Sequence, residues 1–510
     1  MLGLVITIAL ITFIIVHTYK NAFKRPYENF PPGPPSLPVY GAYWLILMKE
    51  TNNLAGALRK IAREYKTKIV GCYLGAFPSV IVDDSKLIKE ALNNEAFDGR
   101  PDIVLGRLRS FWKRLGIFFT DGYFWHVQRR FSLRYMRDFG FGRREENLEA
   151  VIAHETKELI DMAANGPKYP AEKELVKGDL IHLQHFFSVP FINGILHMFS
   201  QSTLPRSEYH VLWNLARHTL LFQRGSNDFG GALSLTPWLK DILPNYSGYT
   251  NLVKGNQALL DIFSKLIKQE AATQEDSHDR HFIDVYLRQM KKEQQSGKAT
   301  TFSEDQLQLV CTDYMFPSAT GIGAVITFLV ERILIQPEIQ DKIHEEIDRV
   351  VGRDRLPTLD DRQNMPYTEA CLREIMRYEP LVPLGVPHRT MKDTKLGGYD
   401  ITENTLLSVN YLSLHFDSKI WGDPENFRPE RFIVNGKLDL SKDRSLPFGA
   451  GKRLCVGETY ARQSMFLVFS AFMQAFTIST ADGKPMKLAK RIQGIITTVP
   501  EFWIRVTPRH

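Results

Sequence analysis

Residues 448–457 read FGAGKRLCVG, and the fold is decided in this short stretch. Gly449, Gly451 and Gly457 surround Cys455, and Arg453 stands two residues before the cysteine. Glycine adopts positive φ without penalty and lets backbone approach a bulky ligand closely. The apolar run TYARQSMFLVFSAFMQAF follows at 459–476 and predicts a helix that starts just past the cysteine. A thiol near a helix N-terminus is favoured as thiolate by the dipole and by free N–H groups, which suits a metal ligand. Cys72, Cys311 and Cys371 have no such frame. With no close pair among the four cysteines, neither a disulfide framework nor a CxxC metal site is expected.

Upstream, four further patterns occur in a fixed order. WHVQR at 125–129 places Trp125 and Arg129 on one helix face, and Glu374 and Arg377 stand at i and i+3 on a predicted helix over 367–378. His388 lies in VPHRTMKD, and PERF at 429–432 supplies Arg431. Taken singly, each reads as an ordinary helix pair, core indole or structural histidine. Together with the cysteine stretch, they resemble the cytochrome P450 superfamily, whose loop is Phe-x-x-Gly-x-Arg-x-Cys-x-Gly. Phe448, Gly451, Arg453, Cys455 and Gly457 match every fixed position. The style of the motifs is similar to the microsomal animal branch that holds the family 2 clan and insect hormone enzymes.

The resemblance implies a mainly α fold with a small β subdomain and a haem b (iron protoporphyrin IX) whose iron is ligated by Cys455. Thiolate ligation pushes electron density toward O–O cleavage. Phe448 would pack beside the sulfur within the frame of Gly449 and Gly457, and Arg453, Trp125, Arg129 and His388 would meet the haem propionates. Glu374, Arg377 and Arg431 would form a buried triad supporting the cysteine loop.

One segment departs from the family. Its long central helix carries Ala/Gly-Gly-x-Asp/Glu-Thr, an acid and an alcohol that relay protons to dioxygen. Here the helix predicted over 304–335 reads DYMFPSATGIGAVI from Asp313, which puts Pro317 and Ser318 at the Ala-Gly positions, Thr320 at the acid and Gly321 at the threonine. Both relay side chains are replaced. Pro317 removes an N–H and frees the Asp313 carbonyl, so a kink is expected there. Hydroxyls of Ser318 or Thr320, a water on the freed carbonyl, or a substrate hydroxyl are the candidate replacements.

Three functional readings follow. In the first, the protein is a monooxygenase that takes electrons from NADPH through a cytochrome P450 reductase, with cytochrome b5 as an optional second donor. In the second, a haem-thiolate isomerase or dehydratase rearranges a hydroperoxide or endoperoxide. The third is a haem-binding protein without turnover. Arg130, Arg134, Arg137, Lys442, Arg444 and Lys452 lie near the Trp helix and the cysteine loop, a basic surface able to steer an acidic partner. Segments matching the family's pocket walls, 105–119, 220–222, 381–386 and 495–496, are mostly apolar and point to a lipophilic substrate: a steroid, terpenoid, fatty acid derivative or xenobiotic.

The remaining features set the frame. Residues 1–16 are uncharged, and Lys20, Lys24 and Arg25 follow, so 1–19 is expected to be a retained transmembrane signal anchor with the bulk of the chain on the cytosolic side of the endoplasmic reticulum. A basic, proline-rich linker is expected over 20–41 and a catalytic domain over 42–510, with other amphipathic helices near 53–64, 146–164, 252–270 and 337–351, short strands near 68–74, 79–82 and 502–506, and loop over 414–448. With 64 Lys+Arg against 57 Asp+Glu in 510 residues and 44% hydrophobic content, the chain is not disordered, and the small excess charge speaks against a nucleic-acid partner.

Overall fold

The computed structural model describes residues 22–225, 231–274 and 279–509, and within the first 21 only Ala9, Thr12, Phe13 and Val16. The expected membrane segment therefore lies outside the described residues save those four.

The central helix, Glu304–Ile335, has the expected bounds and is buried along most of its length. Ser303 opens it by accepting the Gln306 N–H at 3.1 Å. Helices Ser188–Ser200, Tyr209–Arg224, Tyr249–Ala272, Pro366–Tyr378 and Glu458–Ala475 pack around it. A helix so surrounded needs apolar side chains on every face. Among the described residues it alone is long and apolar enough to cross a bilayer, and 89% of its apolar window is buried in protein, so it serves as the core. Pro317 sits inside it, and the helical run continues through it.

The β part is small. In one sheet, Ile69–Leu74 pairs antiparallel with Phe77–Val82, which pairs parallel with Leu406–Val409, itself antiparallel to His388–Arg389. Gly75, at φ +59°, makes the tight turn of the hairpin. A second sheet joins Phe476–Thr480, Trp503–Pro508, Leu180–His182 and Val176–Lys177. The segment expected to be loop over 414–448 is instead built of short pieces, including Ser418–Trp421, a 3-10 turn at Pro429–Phe432 and a two-stranded ribbon of Ile433–Val434 with Lys437–Leu438. Pieces this short carry no readable periodicity. They wrap Pro366–Tyr378 and lead into the cysteine loop.

Candidate active site

Helix Glu458–Ala475 starts three residues after Cys455, and the Cys455 N–H donates to the Phe448 carbonyl at 2.9 Å, closing the loop on itself. Two of the glycines make room for neighbouring parts of the protein. A side chain at Gly451, where φ is +68°, would collide with the Leu92 carbonyl at 1.9 Å, and one at Gly457 would press on Phe141 at 3.2 Å. Gly449 has φ +77°. Phe448 is covered by Arg462, whose guanidinium carbon lies 4.8 Å from the ring centroid. Cys455 is exposed although protein surrounds its sulfur. Burial raises its thiol pKa, while the Gly457 N–H and the Arg129 charge oppose that shift.

Above the loop, cations converge. Arg453 donates to the carbonyls of Asp98 (2.7 Å) and Thr120 (2.9 Å), and its guanidinium carbon lies 3.7 Å from the Trp125 ring centroid. Arg129, on helix Gly122–Asp138, donates to the Leu454 carbonyl at 2.5 Å. Trp125 is buried, and its Nε1–H has no acceptor among the described residues. The His388 Nδ1 lies 2.6 Å from the Phe97 carbonyl, so the ring donates there and its Nε2 is left as an acceptor. Arg100 joins this group without having been singled out in the sequence. It is buried and donates to the carbonyls of Val386 and Pro387, both at 3.0 Å. No local pattern marks it, because it reaches the site through contacts distant in the chain.

The electrostatics expose what this cluster lacks. Burial, and then Arg100 and Arg129, push Arg453 down to about 8, and burial and Arg129 push Arg100 down to about 10. Burial and Arg100 hold His388 well below the usual imidazole range. Guanidiniums that depress one another beside an unpaired indole N–H form a site short of negative charge. The two carboxylates of a haem meet that need, and an enclosed thiol meets its iron, so the residues fit the group. His388 is the exception: as a neutral ring it accepts at Nε2, and donating to a carboxylate requires a second proton that the neighbouring arginines oppose until that carboxylate arrives.

Glu374, Arg377 and Arg431 are brought together as expected. Both Glu374 oxygens take Arg377 at 2.8 Å, and Arg431 Nε reaches Glu374 at 3.0 Å, with all three side chains at most 5% exposed. The Arg428 N–H adds a further bond to Glu374 at 2.9 Å.

On the central helix, Pro317 is exposed within an otherwise buried stretch, and a side chain at Gly321 would touch only Leu381, at 3.3 Å. These positions are four apart and share a face. The hydroxyl protons of this segment are spent inside the protein. Thr320 donates to Gln223 Oε1 at 2.8 Å, and Ser318 donates to the Tyr314 carbonyl at 2.9 Å. Asp313, also unmarked in the sequence, pairs with buried Arg109 at 2.5 Å and accepts the N–H groups of Ile117 (2.5 Å) and Phe118 (3.1 Å). It thereby pins one apolar wall to the helix. That wall joins Leu105, Phe119, Phe222, Val386 and Ile495, with Phe222 edge-on to Phe316 at 5.3 Å, so the expected wall segments meet in one apolar cluster.

A family model described as Cytochrome P450 matches residues 31–505. The chain is 30% identical to the farnesoate epoxidase of Bombyx mori over 511 residues, 100% of this chain and 99% of that one. It is 30% identical to cytochrome P450 2B19 of Mus musculus, with 99% of each chain covered. It is 28% identical to the probable cytochrome P450 305a1 of Drosophila melanogaster, with both chains covered in full. A match running through both the cysteine loop and the helix opposite it leaves one assignment: the chain belongs to the cytochrome P450 family, monooxygenases that hold haem b through a cysteine thiolate.

Proposed function

We propose that the protein is a membrane-bound monooxygenase that takes electrons from NADPH through a cytochrome P450 reductase and oxidises a lipophilic substrate. The observation that carries this reading is the enclosed Cys455 thiol beneath a buried surplus of cations, with an apolar wall beside it. Cys455 would ligate the iron, Arg100, Trp125, Arg129 and Arg453 would hold the carboxylates, and His388 would join them on taking up a second proton. When bound, haem supplies an iron at which dioxygen is split using two electrons and two protons, one oxygen entering the substrate and the other leaving as water. The buried triad of Glu374, Arg377 and Arg431 holds the wrap that leads into the loop. Pro317 and Gly321 shape the opposite surface, and with the protons of Ser318 and Thr320 already donated, a water or a substrate hydroxyl serves as the proton donor.

The setting is the endoplasmic reticulum membrane, with 1–19 as anchor, 20–41 as linker and 42–510 as the cytosolic catalytic domain. Exposed Trp238, Ile242, Leu243 and Tyr246 support contact with lipid. Arg130, Arg134, Arg137, Lys442 and Arg444 are exposed and support docking of an acidic reductase, with cytochrome b5 as a second donor. The name of the silkworm relative makes terpenoid acids and their esters the first substrates to try.

Gly321, bare where the family has a threonine, favours a second reading, the rearrangement of a substrate that already holds an O–O bond. The deciding experiment measures reductase-supported NADPH consumption and hydrogen peroxide release by the purified haem protein, beside its turnover of a lipid hydroperoxide. Brisk NADPH use is expected. Negligible NADPH use with fast hydroperoxide turnover would overturn the first reading in favour of the second.

A further inference from the structure

The triad does not itself touch the cysteine loop. Among the described residues, the hydrogen bonds of Glu374, Arg377 and Arg431 end on one another and on 415–428, never on 443–455. Two bridges span that gap.

Arg377 spends Nε and Nη2 on Glu374 and donates from Nη1 to the His415 carbonyl at 2.7 Å. The His415 ring then accepts the Leu446 N–H on Nε2 at 3.1 Å. That acceptor requires the proton to sit on Nδ1, and the ring, fully buried, stacks on Tyr411 at 5.8 Å with planes 28° apart. Burial keeps it neutral, so the acceptor persists at neutral pH. The second bridge starts one turn earlier on the same helix face. Arg373 pairs with Asp443 at 2.8 Å, and Asp443 accepts the Ser445 N–H at 3.1 Å, with both charged side chains about nine-tenths buried. Both bridges therefore land on residues 443–446, immediately before Phe448. From there the Gly449 N–H donates to the Leu446 carbonyl at 3.0 Å, and the Cys455 N–H donates to the Phe448 carbonyl at 2.9 Å.

We propose that His415 and the Arg373–Asp443 pair are positioning residues for Cys455, two parallel tethers by which helix Pro366–Tyr378 sets the height of the cysteine loop. The proposal rests on Cys455 being the iron ligand. Neither tether touches the sulfur; each fixes the backbone from which the sulfur projects.

The test uses the haem-loaded full chain and reads the ferrous carbon monoxide spectrum, which reports whether the sulfur is bound as thiolate or thiol. His415→Phe keeps the stacked ring and deletes the acceptor, while Arg373→Lys keeps the charge but replaces the guanidinium, whose Nη1 reaches Asp443 and whose Nη2 reaches Glu369 at 3.1 Å, with a single ammonium that cannot span both. Each is expected to convert from the thiolate to the thiol form about tenfold faster under mild heating, the factor for one lost buried hydrogen bond. His415→Gln, which restores an acceptor, is expected to recover most of the parent rate. As a control, Gln340→Met removes a comparable pair of bonds to Ile478 far from the loop and is expected to leave the conversion rate unchanged. Parent-like conversion in both His415→Phe and Arg373→Lys, or equally fast conversion in Gln340→Met, would overturn the tethers. Should His415→Phe fail to fold, Arg373→Lys and Asp443→Asn decide alone. A thiolate band that survives in Cys455→Ser would overturn the ligand assignment instead.

Discussion

The two sides of the site were built under different constraints. On the cysteine side the backbone is fixed while the cations await a partner: the loop closes on its own backbone, Arg453 and Arg129 hold loop and wall carbonyls, buried ion pairs stand behind them, and the Trp125 indole N–H is left without an acceptor among the described residues. On the central-helix side the side chains where the family places an acid and an alcohol are a threonine and a glycine, and the threonine is tied to Gln223. The contrast teaches that metal ligation and charge compensation tolerate little geometric error, whereas a proton can arrive by more than one route.

The comparison breaks first at Cys455. Cys455→Ser is expected to abolish the thiolate spectrum and turnover together, and a variant retaining both would remove the cysteine side from the argument. Next, Glu374→Gln or Arg431→Met strands a buried charge at a cost of about 3–5 kcal/mol. Little haem-loaded protein should be recovered, as measured by the ratio of haem to polypeptide after purification.

Acidification probes both sides at once. Burial pushes His185, which lines a small cleft beside Thr320, and His415, on the cysteine side, each down to about 3 from a usual 6.5. The unfolded chain takes up protons that these folded rings refuse. Their stability contribution is therefore whole above pH 6.5 and is lost as the pH falls toward 3, on the order of 3 kcal/mol for each ring at pH 4.5. Thermal melting across that range should show the loss, and His185→Gln should remove part of it.

Smaller effects sharpen the central-helix side. Gly321→Thr requires Leu381 to yield by a few tenths of an ångström and returns the family's alcohol. Hydrogen peroxide released per NADPH should fall by about tenfold, a modest share of what a positioned proton donor contributes. An unchanged ratio would show that the alcohol is not what this helix lacks. Thr320→Val deletes only the bond to Gln223 and should cost about 1 kcal/mol in melting, with little change in coupling.

Local chemistry was legible from residue spacing. Cys455 and its glycines lie within ten residues, Glu374 and Arg377 within one helical turn, and Trp125 and Arg129 within another, so each set is a local pattern, and the resemblance these patterns carry supplied their roles. The central helix was readable to the residue because it is long and apolar throughout. The wrap over 414–448 was not, since its elements are too short to show a period. That Gly451 makes room for the Leu92 carbonyl was not legible either, since this is a contact with a segment far away in the chain.

By itself, then, the sequence determined the framed cysteine, the Glu374–Arg377 pair and the altered central-helix segment, because each is a pattern of neighbours along the chain, and the resemblance these carry implied the family and the part played by Arg431. Only the tertiary structure decided that Arg100 joins the cations, that Asp313 pins an apolar wall, that the Thr320 proton goes to Gln223, and that His415 and Arg373 reach the cysteine loop. These are contacts between residues distant in sequence. Their partners are chosen by packing and by the need of each buried polar group for a mate, and neither leaves a periodic trace in the chain.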